Sequence, residues 1–585
     1  KHEFRVPMRD GVKLYTAVYT PLPGQFQDPG PLPFLVTRTP YSCGNYGNNV
    51  MQPKVTGNST LLKDGYILVC QDVRGRWMSE GSWMEMTPSR DGKGIDESTD
   101  MYDTVEWLLK NVPANNGNVG ILGISYPGFY TAASIVDSHP AIKAASPQAP
   151  IVDLWMGDDA YHGGAFMLQG NHSFYSTYFG PQKNPLPKEP KNRFDYGTKD
   201  MYAYFLRMGT LARLDTPEGG TNAYFHDQII HTTYDDYWKI RNLEPHLHGV
   251  KAAVLAVGGW FDAEDLAGPL KVFHTLDKLS PEAPENTLVE GPWVHGGWSR
   301  NTGAQLGDIR FGSETSLFYR DNIEAPFFAH WLKNASWTPL PKAYTFETGS
   351  NVWKKYNAWP PKSAQPKTLF LQPHGGLSWN APTETASKDV YVSDPAHPVP
   401  YAPYATGVDI PQRYMDDDQR FAAKRPDVLV FQTEPLAEDV TVAGPIKPHL
   451  KIASTGTDSD FVVKLIDVFP DTPGASAIAP PGYQMLLRGE PFRARFRNSW
   501  ETPEPLVPGQ ITDLGFTMQD INHTFLKGHR IMVQIQSSWF PLTDRNPQVF
   551  VDIAKAKPAD FQKATETVFH QAGAASSIEL LVIPR

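Results

Sequence analysis

Apolar positions in the first quarter of the chain fall in short consecutive runs bounded by turns. Pro33-Phe34-Leu35-Val36-Thr37, Tyr66-Ile67-Leu68-Val69-Cys70 and Val119-Gly120-Ile121-Leu122-Gly123-Ile124 are such runs, the pattern of strands covered on both faces in a largely parallel sheet. Between the last two, residues 96–109 carry Met101, Val105, Trp107, Leu108 and Leu109 with acids clustered early, which predicts a helix docked on that sheet. From about 151 to 250 the segment is rich in Tyr, Phe, Trp, His and Asp without a period of two, and a mostly helical, irregular insertion is expected. Strand runs return at Ala252-Ala253-Val254-Leu255-Ala256-Val257 and Thr287-Leu288-Val289-Glu290, so the insertion interrupts one sheet. Residues 324–332 read as a helix, and Trp359-Pro360-Pro361 as a linker. Beyond it, residues 369–371, 461–468 and 530–535 are short strand-like segments spaced by Pro and Gly turns, which predicts an all-β sandwich. The expected fold class is therefore α/β: one domain split into residues 1–150 and 251–360, an insertion over 151–250, and a β domain over 361–585.

Composition narrows the function. With 53 Lys and Arg against 63 Asp and Glu, a net charge of −10 and no basic run, there is no surface on which to bind nucleic acid. No apolar stretch is long enough to cross a bilayer, and residues 1–10 lack the apolar core of a signal peptide. The expectation is a chain that is cytosolic or whose leader is missing from this numbering. The two cysteines, Cys43 and Cys70, are too few for a disulfide framework or a four-ligand zinc site; whether they pair stays open.

The sharpest chemical signal is Gly123-Ile124-Ser125-Tyr126-Pro127-Gly128, where a buried strand enters a small-residue turn and then a helix start at Phe129-Tyr130-Thr131. That context suits a nucleophilic serine raised on a tight turn, with the helix N-terminus behind it favouring negative charge. A serine nucleophile needs a base, and the base an orienting acid. Two later strands end in these residues: 252–257 runs into Gly258-Gly259-Trp260-Phe261-Asp262, and 287–290 into Gly291-Pro292-Trp293-Val294-His295. The chain order Ser125, Asp262, His295 matches hydrolases with an insertion before the acid. The backbone N–H of Tyr126 is the first candidate for an oxyanion hole.

Taken together, Gly-x-Ser-Tyr-x-Gly at 123–128, Gln71-Asp72-Val73-Arg74-Gly75, and Phe525-Leu526-Lys527-Gly528-His529-Arg530 with Trp539-Phe540-Pro541 resemble serine hydrolases of the X-Pro dipeptidyl-peptidase and cocaine-esterase type. Within that group, Trp260-Phe261-Asp262-Ala263-Glu264-Asp265 and Gly157-Asp158-Asp159-Ala160-Tyr161-His162 are similar to the α-amino acid ester hydrolases. The resemblance implies an α/β-hydrolase domain, a helical cap and a C-terminal jelly-roll-like β domain, and esters of α-amino acids or β-lactams as substrates. It implies a homo-oligomer and a periplasmic or secreted address; no cofactor is indicated, since no phosphate-binding glycine loop or dinucleotide fingerprint precedes a suitable helix. It assigns the second oxyanion donor to the hydroxyl of Tyr41, and Asp159, Glu264 and Asp265 to the substrate ammonium, with Asp158 competing for the place of Asp159. Crowded carboxylates without a basic neighbour are destabilising unless a cation joins them. An X-Pro dipeptidyl-peptidase, a cocaine-esterase-like or glutaryl-acylase-like enzyme, and an inactive binding protein on the same scaffold remain as alternatives.

Trp155, Trp260, Trp293 and Trp298 flank these residues in sequence; an aromatic wall of the acyl pocket and ordinary core packing would give the same composition, and both stay open. His246-x-His248 and Asp416-Asp417-Asp418 have partial ligand character but no full set, so no metal is assigned and a structural calcium stays open.

Overall fold

The computed structural model describes residues 1–22, 30–51, 56–188, 194–474 and 476–584. The predicted runs become β3 (Leu32–Thr39), β4 (Ile67–Asp72) and β5 (Asn115–Ser125), preceded by β1 (His2–Pro7) and β2 (Lys13–Tyr19). β6 (Ile142–Pro150) follows; a small hairpin of β7 (Tyr161–His162) and β8 (Ala165–Phe166) opens the insertion, and β9 (Ala253–Gly259) and β10 (Asn286–Gly291) return to the sheet. A second hairpin, β11 (Gln305–Leu306) and β12 (Ile309–Arg310), precedes the closing strands β13 (Ala343–Glu347) and β14 (Val352–Tyr356). The main sheet has ten strands in the order β1-β2-β4-β3-β5-β6-β9-β10-β13-β14, parallel from β4 through β13. That arrangement brings the C-terminal ends of β5, β9 and β10 to one edge, where ligand sites of open α/β sheets lie.

Helix α1 (Ser59–Asp64) precedes β4, and the helix expected from residue 96 is α2 (Glu97–Asn111). Asp96 caps α2 by accepting from Thr99 N, while the Thr99 hydroxyl accepts from Asp96 N, which satisfies two backbone donors at the helix start. The insertion is built from short helices, among them Leu168–Ser173, Met201–Met208 and Ala223–Ile230, packed through a cluster of aromatic side chains.

The C-terminal half is all β. Its long strand Val440–Ser454 pairs with Thr512–Gly515, Met518–Phe525, Ala564–Gln571 and Ser577–Val582. The segment expected as a linker is instead docked: Trp359 is 5% exposed, its Nε1 donates to Asp520 Oδ2 at 2.8 Å, and Pro360 packs beside Gly444. Apolar burial therefore runs continuously from the main sheet into the β domain, and the linker segment is part of that packing.

Candidate active site

Ser125 ends β5 with φ +68 and begins α3 (Tyr126–Ser134). A side chain at Gly123 would lie 2.3 Å from Pro127 O, and one at Gly128 would lie 2.4 Å from Gln148 O on β6. The turn closes this tightly only because both positions lack a Cβ. Tyr126 is the first residue of α3, where a helix leaves its backbone N–H without an internal partner. The Tyr126 side chain is packing: its hydroxyl accepts from Met86 N, and its ring stacks on Phe179 and Tyr130.

Asp262 and His295 meet because β9 and β10 are adjacent, with Gly258 opposite Glu290 and Gly259 opposite Gly291. Their exit loops are joined by Trp260 N to Gly291 O and Phe261 N to Trp293 O. His295 Nδ1 lies 2.9 Å from Asp262 Oδ2 and 3.1 Å from Oδ1. The other duty of Asp262 Oδ1 is to accept the backbone N–H groups of Glu264 at 2.8 Å and Asp265 at 3.0 Å. The Ser125 hydroxyl points to Asp265, with Oγ 3.5 Å from Oδ2, and Tyr41 is within hydrogen-bonding reach of the same hydroxyl. Tyr41 is 41% exposed as a residue, but its hydroxyl end is enclosed and faces the carboxylates, and burial together with Asp159, Glu264 and Asp265 pushes that hydroxyl well above its ordinary pKa.

Tyr41, Ser125, Asp159 and Glu264 line one pocket. Asp265 lies behind them, fully buried, with Oδ1 lacking a partner among the described residues. Burial, then the neighbouring carboxylates led by Glu264 for Asp159 and by Asp159 for Asp265, raise both well above the usual range. The structure separates the two cap aspartates. Asp158 turns inward, its Oδ2 accepting from Val152 N and Asp153 N at 2.9 Å, whereas Asp159 faces the pocket. Burial would lower His295, but Asp262 and Glu264 outweigh it and raise the imidazole to about 9.

The four tryptophans take the core-packing alternative. Trp155 packs against Tyr161, Tyr234, Phe496 and Trp500, and Trp260, Trp293 and Trp298 donate to Phe346 O, Thr315 and Gln148 in the core. Large apolar rings fill space under the site, not in it. The pocket's aromatic lining is Phe174 and Tyr175 together with Tyr41 and Tyr126, and its far wall is Ile410, Pro411 and Leu542 of the β domain. Gln412 Nε2 donates to Glu264 Oε1 at 2.9 Å. None of these contacts has a local sequence signal.

Two further groups escaped sequence reasoning. Glu290, five residues before His295, is fully buried with neither carboxylate oxygen partnered among the described residues, and burial followed by Asp262 raises it well above its ordinary value. Arg488 of the β domain donates to Trp260 O at 3.0 Å, tying the loop that carries Asp262 to that domain. His246 and His248 pair with Asp91, and Asp417 and Asp418 with Tyr404 and Arg420; no cluster able to hold a metal is found among the described residues. Cys43 and Cys70, left open by the sequence, form a disulfide.

A parallel-centred sheet with a serine elbow and an Asp–His pair on neighbouring strand ends, joined to a β domain, is the architecture of a serine hydrolase. The family model described as X-Pro dipeptidyl-peptidase (S15 family) matches residues 10–297, and that of the X-Pro dipeptidyl-peptidase C-terminal non-catalytic domain matches 335–579. The chain belongs to this family and is a serine carboxylic ester hydrolase. It is 29% identical to cocaine esterase of Rhodococcus sp. (strain MB1 Bresler), over 99% of this chain and 98% of that protein. Among solved structures it is similar to an aminopeptidase from the marine sediment archaeon Thaumarchaeota archaeon, at 37% identity and a TM-score of 0.92 over 100% of this chain and 96% of that one. It is also similar to an α-amino acid ester hydrolase, at 35% identity and a TM-score of 0.91 over 99% and 96%.

Proposed function

We propose that the protein hydrolyses esters and amides whose acyl part carries a free α-amino group, and transfers such acyl groups to amine nucleophiles including β-lactam nuclei. The observation that carries this reading is the pocket charge. Asp159 and Glu264 face the cavity and Asp265 stands behind them, an excess of carboxylate that a substrate ammonium relieves. Two of the structural relatives are an aminopeptidase and an α-amino acid ester hydrolase, and both names denote substrates with an amino group beside the scissile carbonyl.

In this mechanism the arriving ammonium draws Asp159, Glu264 and Asp265 to itself. The Ser125 hydroxyl, freed from Asp265, turns to His295 Nε2, which takes its proton while Asp262 holds Nδ1. Ser125 Oγ attacks the carbonyl carbon, and Tyr126 N–H and the Tyr41 hydroxyl meet the alkoxide. His295 returns the proton to the leaving alcohol or amine. Water or an amine nucleophile then attacks the acyl-enzyme by the reverse path. The bound cation also screens His295 from the carboxylates that raise it, so the base is released when the correct substrate arrives.

The test is a panel of amino-acid esters, each with its des-amino counterpart. A kcat/KM indifferent to the amino group overturns the substrate assignment and leaves the serine hydrolase standing. The aminopeptidase relative supports a second reading, in which the same carboxylates hold a peptide N-terminus; comparison with Xaa-Pro amides separates the two. The Cys43–Cys70 disulfide supports a periplasmic or secreted address, since such bonds persist in oxidising compartments. The proposed homo-oligomer rests on family likeness and is tested by light scattering.

A further inference from the structure

The segment at the end of β4 and just beyond it, Gln71-Asp72-Val73-Arg74-Gly75 with Arg76 and Trp77, has no part in the reaction described so far. Its side chains converge on the loop that carries Tyr41. Pro40 O accepts Trp77 Nε1 at 2.7 Å and Arg76 Nε at 3.3 Å. Tyr41 N donates to Thr39 Oγ1 at 3.0 Å, and on the other side Cys43 N donates to Asp72 Oδ1 at 2.7 Å. Cys43 is also tied covalently to Cys70 in β4. The loop is thus held at Thr39, Pro40 and Cys43, and only the Tyr41 side chain is left to project.

Two features show that this arrangement is imposed on the chain. Trp77 has φ +50 and Ser42 has φ +89, a region that bulky residues adopt only where their surroundings dictate it. The Trp77 peptide is fixed by Gln182 Oε1, which accepts its N–H at 3.1 Å. Arg76 is 1% exposed and has no carboxylate partner among the described residues. Its guanidinium sits 4.0 Å from the centroid of Phe179, whose ring stacks on Tyr126 and meets Tyr41 edge-on at 5.9 Å, and Nη1 donates to Gly180 O at 2.9 Å. Burying a cation without an anion is unfavourable, so its retention needs a reason beyond stability.

We propose that Arg76 and Trp77 are positioning residues for the oxyanion step: by holding the Pro40 carbonyl they set the Tyr41 peptide, and through it the Tyr41 hydroxyl, at the place beside Ser125 where the alkoxide forms. The inference rests on the reading of Tyr41 as an oxyanion donor. It has a physical lever, because a donor acts only within a narrow distance of the developing charge, and a misplacement of about 1 Å can slow a reaction by ~10²-fold.

The experiment is a double-mutant cycle on phenylglycine methyl ester with Trp77→Phe, Tyr41→Phe and the double variant. Trp77→Phe keeps an aromatic ring and removes the donor; kcat is expected to fall about tenfold with KM within about twofold, as for an interaction made chiefly in the transition state. In the Tyr41→Phe background the same change is expected to alter kcat less than about twofold, since positioning an absent hydroxyl is worth nothing. Arg76→Met should show the same coupling and Arg76→Lys should recover part of the loss. An unchanged kcat in Tyr41→Phe overturns the reading of Tyr41 itself. A slow Tyr41→Phe with equal Trp77→Phe losses in both backgrounds, or a wild-type kcat in Trp77→Phe, overturns the positioning role alone. If Trp77→Phe fails to fold, Gln182→Ala removes the acceptor of the Trp77 N–H from a partly exposed position and is read by the same rule.

Discussion

Asp262 and Asp467 are both fully buried, and each holds histidine, yet the two sites have opposite characters. Asp467, in the β domain, bonds His529 Nδ1 at 2.9 Å and His523 Nε2 at 3.2 Å, and His523 Nδ1 is in turn bonded to Thr348 at 2.8 Å. Burial would raise Asp467, but the hydrogen bonds from His523 and His529 outweigh it and keep the carboxyl below its ordinary value. At Asp262 the proportions are reversed. One imidazole stands among four carboxylates, with Glu264 Oε2 4.0 Å from His295 Nε2 and Asp265 Oδ2 3.9 Å from Nδ1. The aspartate–histidine bond is therefore common to a site that is satisfied and one that is not. What separates them is surplus negative charge and an imidazole edge left toward a pocket, which is where perturbed titration signals function.

The comparison predicts where substitutions act on rate and where on stability. Ser125→Ala should lower kcat by about 10⁶, the loss found when a triad nucleophile is removed, with an unchanged melting temperature. Retention of more than a small fraction of activity would mean that the elbow is not the reacting site. At the satisfied cluster, Asp467→Asn should destabilise the fold by about 3–5 kcal/mol, as for breaking a buried pair, while the folded enzyme keeps a near-normal kcat. Urea midpoints and kcat on the folded fraction check this. Because folding lowers the Asp467 pKa, its stabilisation is present above the unfolded value near ~3.9 and is lost as pH falls through the folded value.

Glu264→Gln should weaken kcat/KM for phenylglycine methyl ester by about 2–5 kcal/mol, the range for truncating a charge pair, and leave phenylacetic acid methyl ester nearly unaffected or improved. Equal losses on both substrates would make Glu264 structural. The smallest effect is in pH. Since the carboxylates raise His295 to about 9 in the free enzyme, kcat/KM for the des-amino ester should rise with pH through that region as the base loses its proton. With the amino ester bound, the ammonium offsets the carboxylates, and the acid limb of kcat should lie lower. Glu264→Gln, which removes one source of the upward shift, should move the des-amino limb down. Coincident limbs in all three profiles would show that His295 does not sense the cluster.

The structure also shows why some residues were legible in advance. Ser125, Asp262 and His295 each follow a strand recognisable from consecutive apolar positions, and in a parallel sheet neighbouring strand ends necessarily meet at one edge. Strand, turn residue and chain order were enough to propose them as nucleophile, acid and base. Tyr41, Asp159, Glu264 and Asp265 needed family likeness as well, because a Tyr in a turn or a run of acids has no period or spacing that separates a pocket from a solvated loop.

What the sequence alone determined was local: the apolar runs that make strands, the two glycines without which the elbow cannot close, and the order in which Ser125, Asp262 and His295 leave their strands. The rest was decided by packing between segments far apart in the chain. Asp158 turns to the backbone of Val152 and Asp153 while Asp159 faces the cavity; Ile410, Pro411 and Leu542 close a pocket begun by Ser125; the tryptophans go to the core; and Cys43 meets Cys70. Adjacent residues of the same type carry no mark of which one faces inward, because that choice belongs to the surface packed against them and is made only when the cap and the β domain close on the sheet.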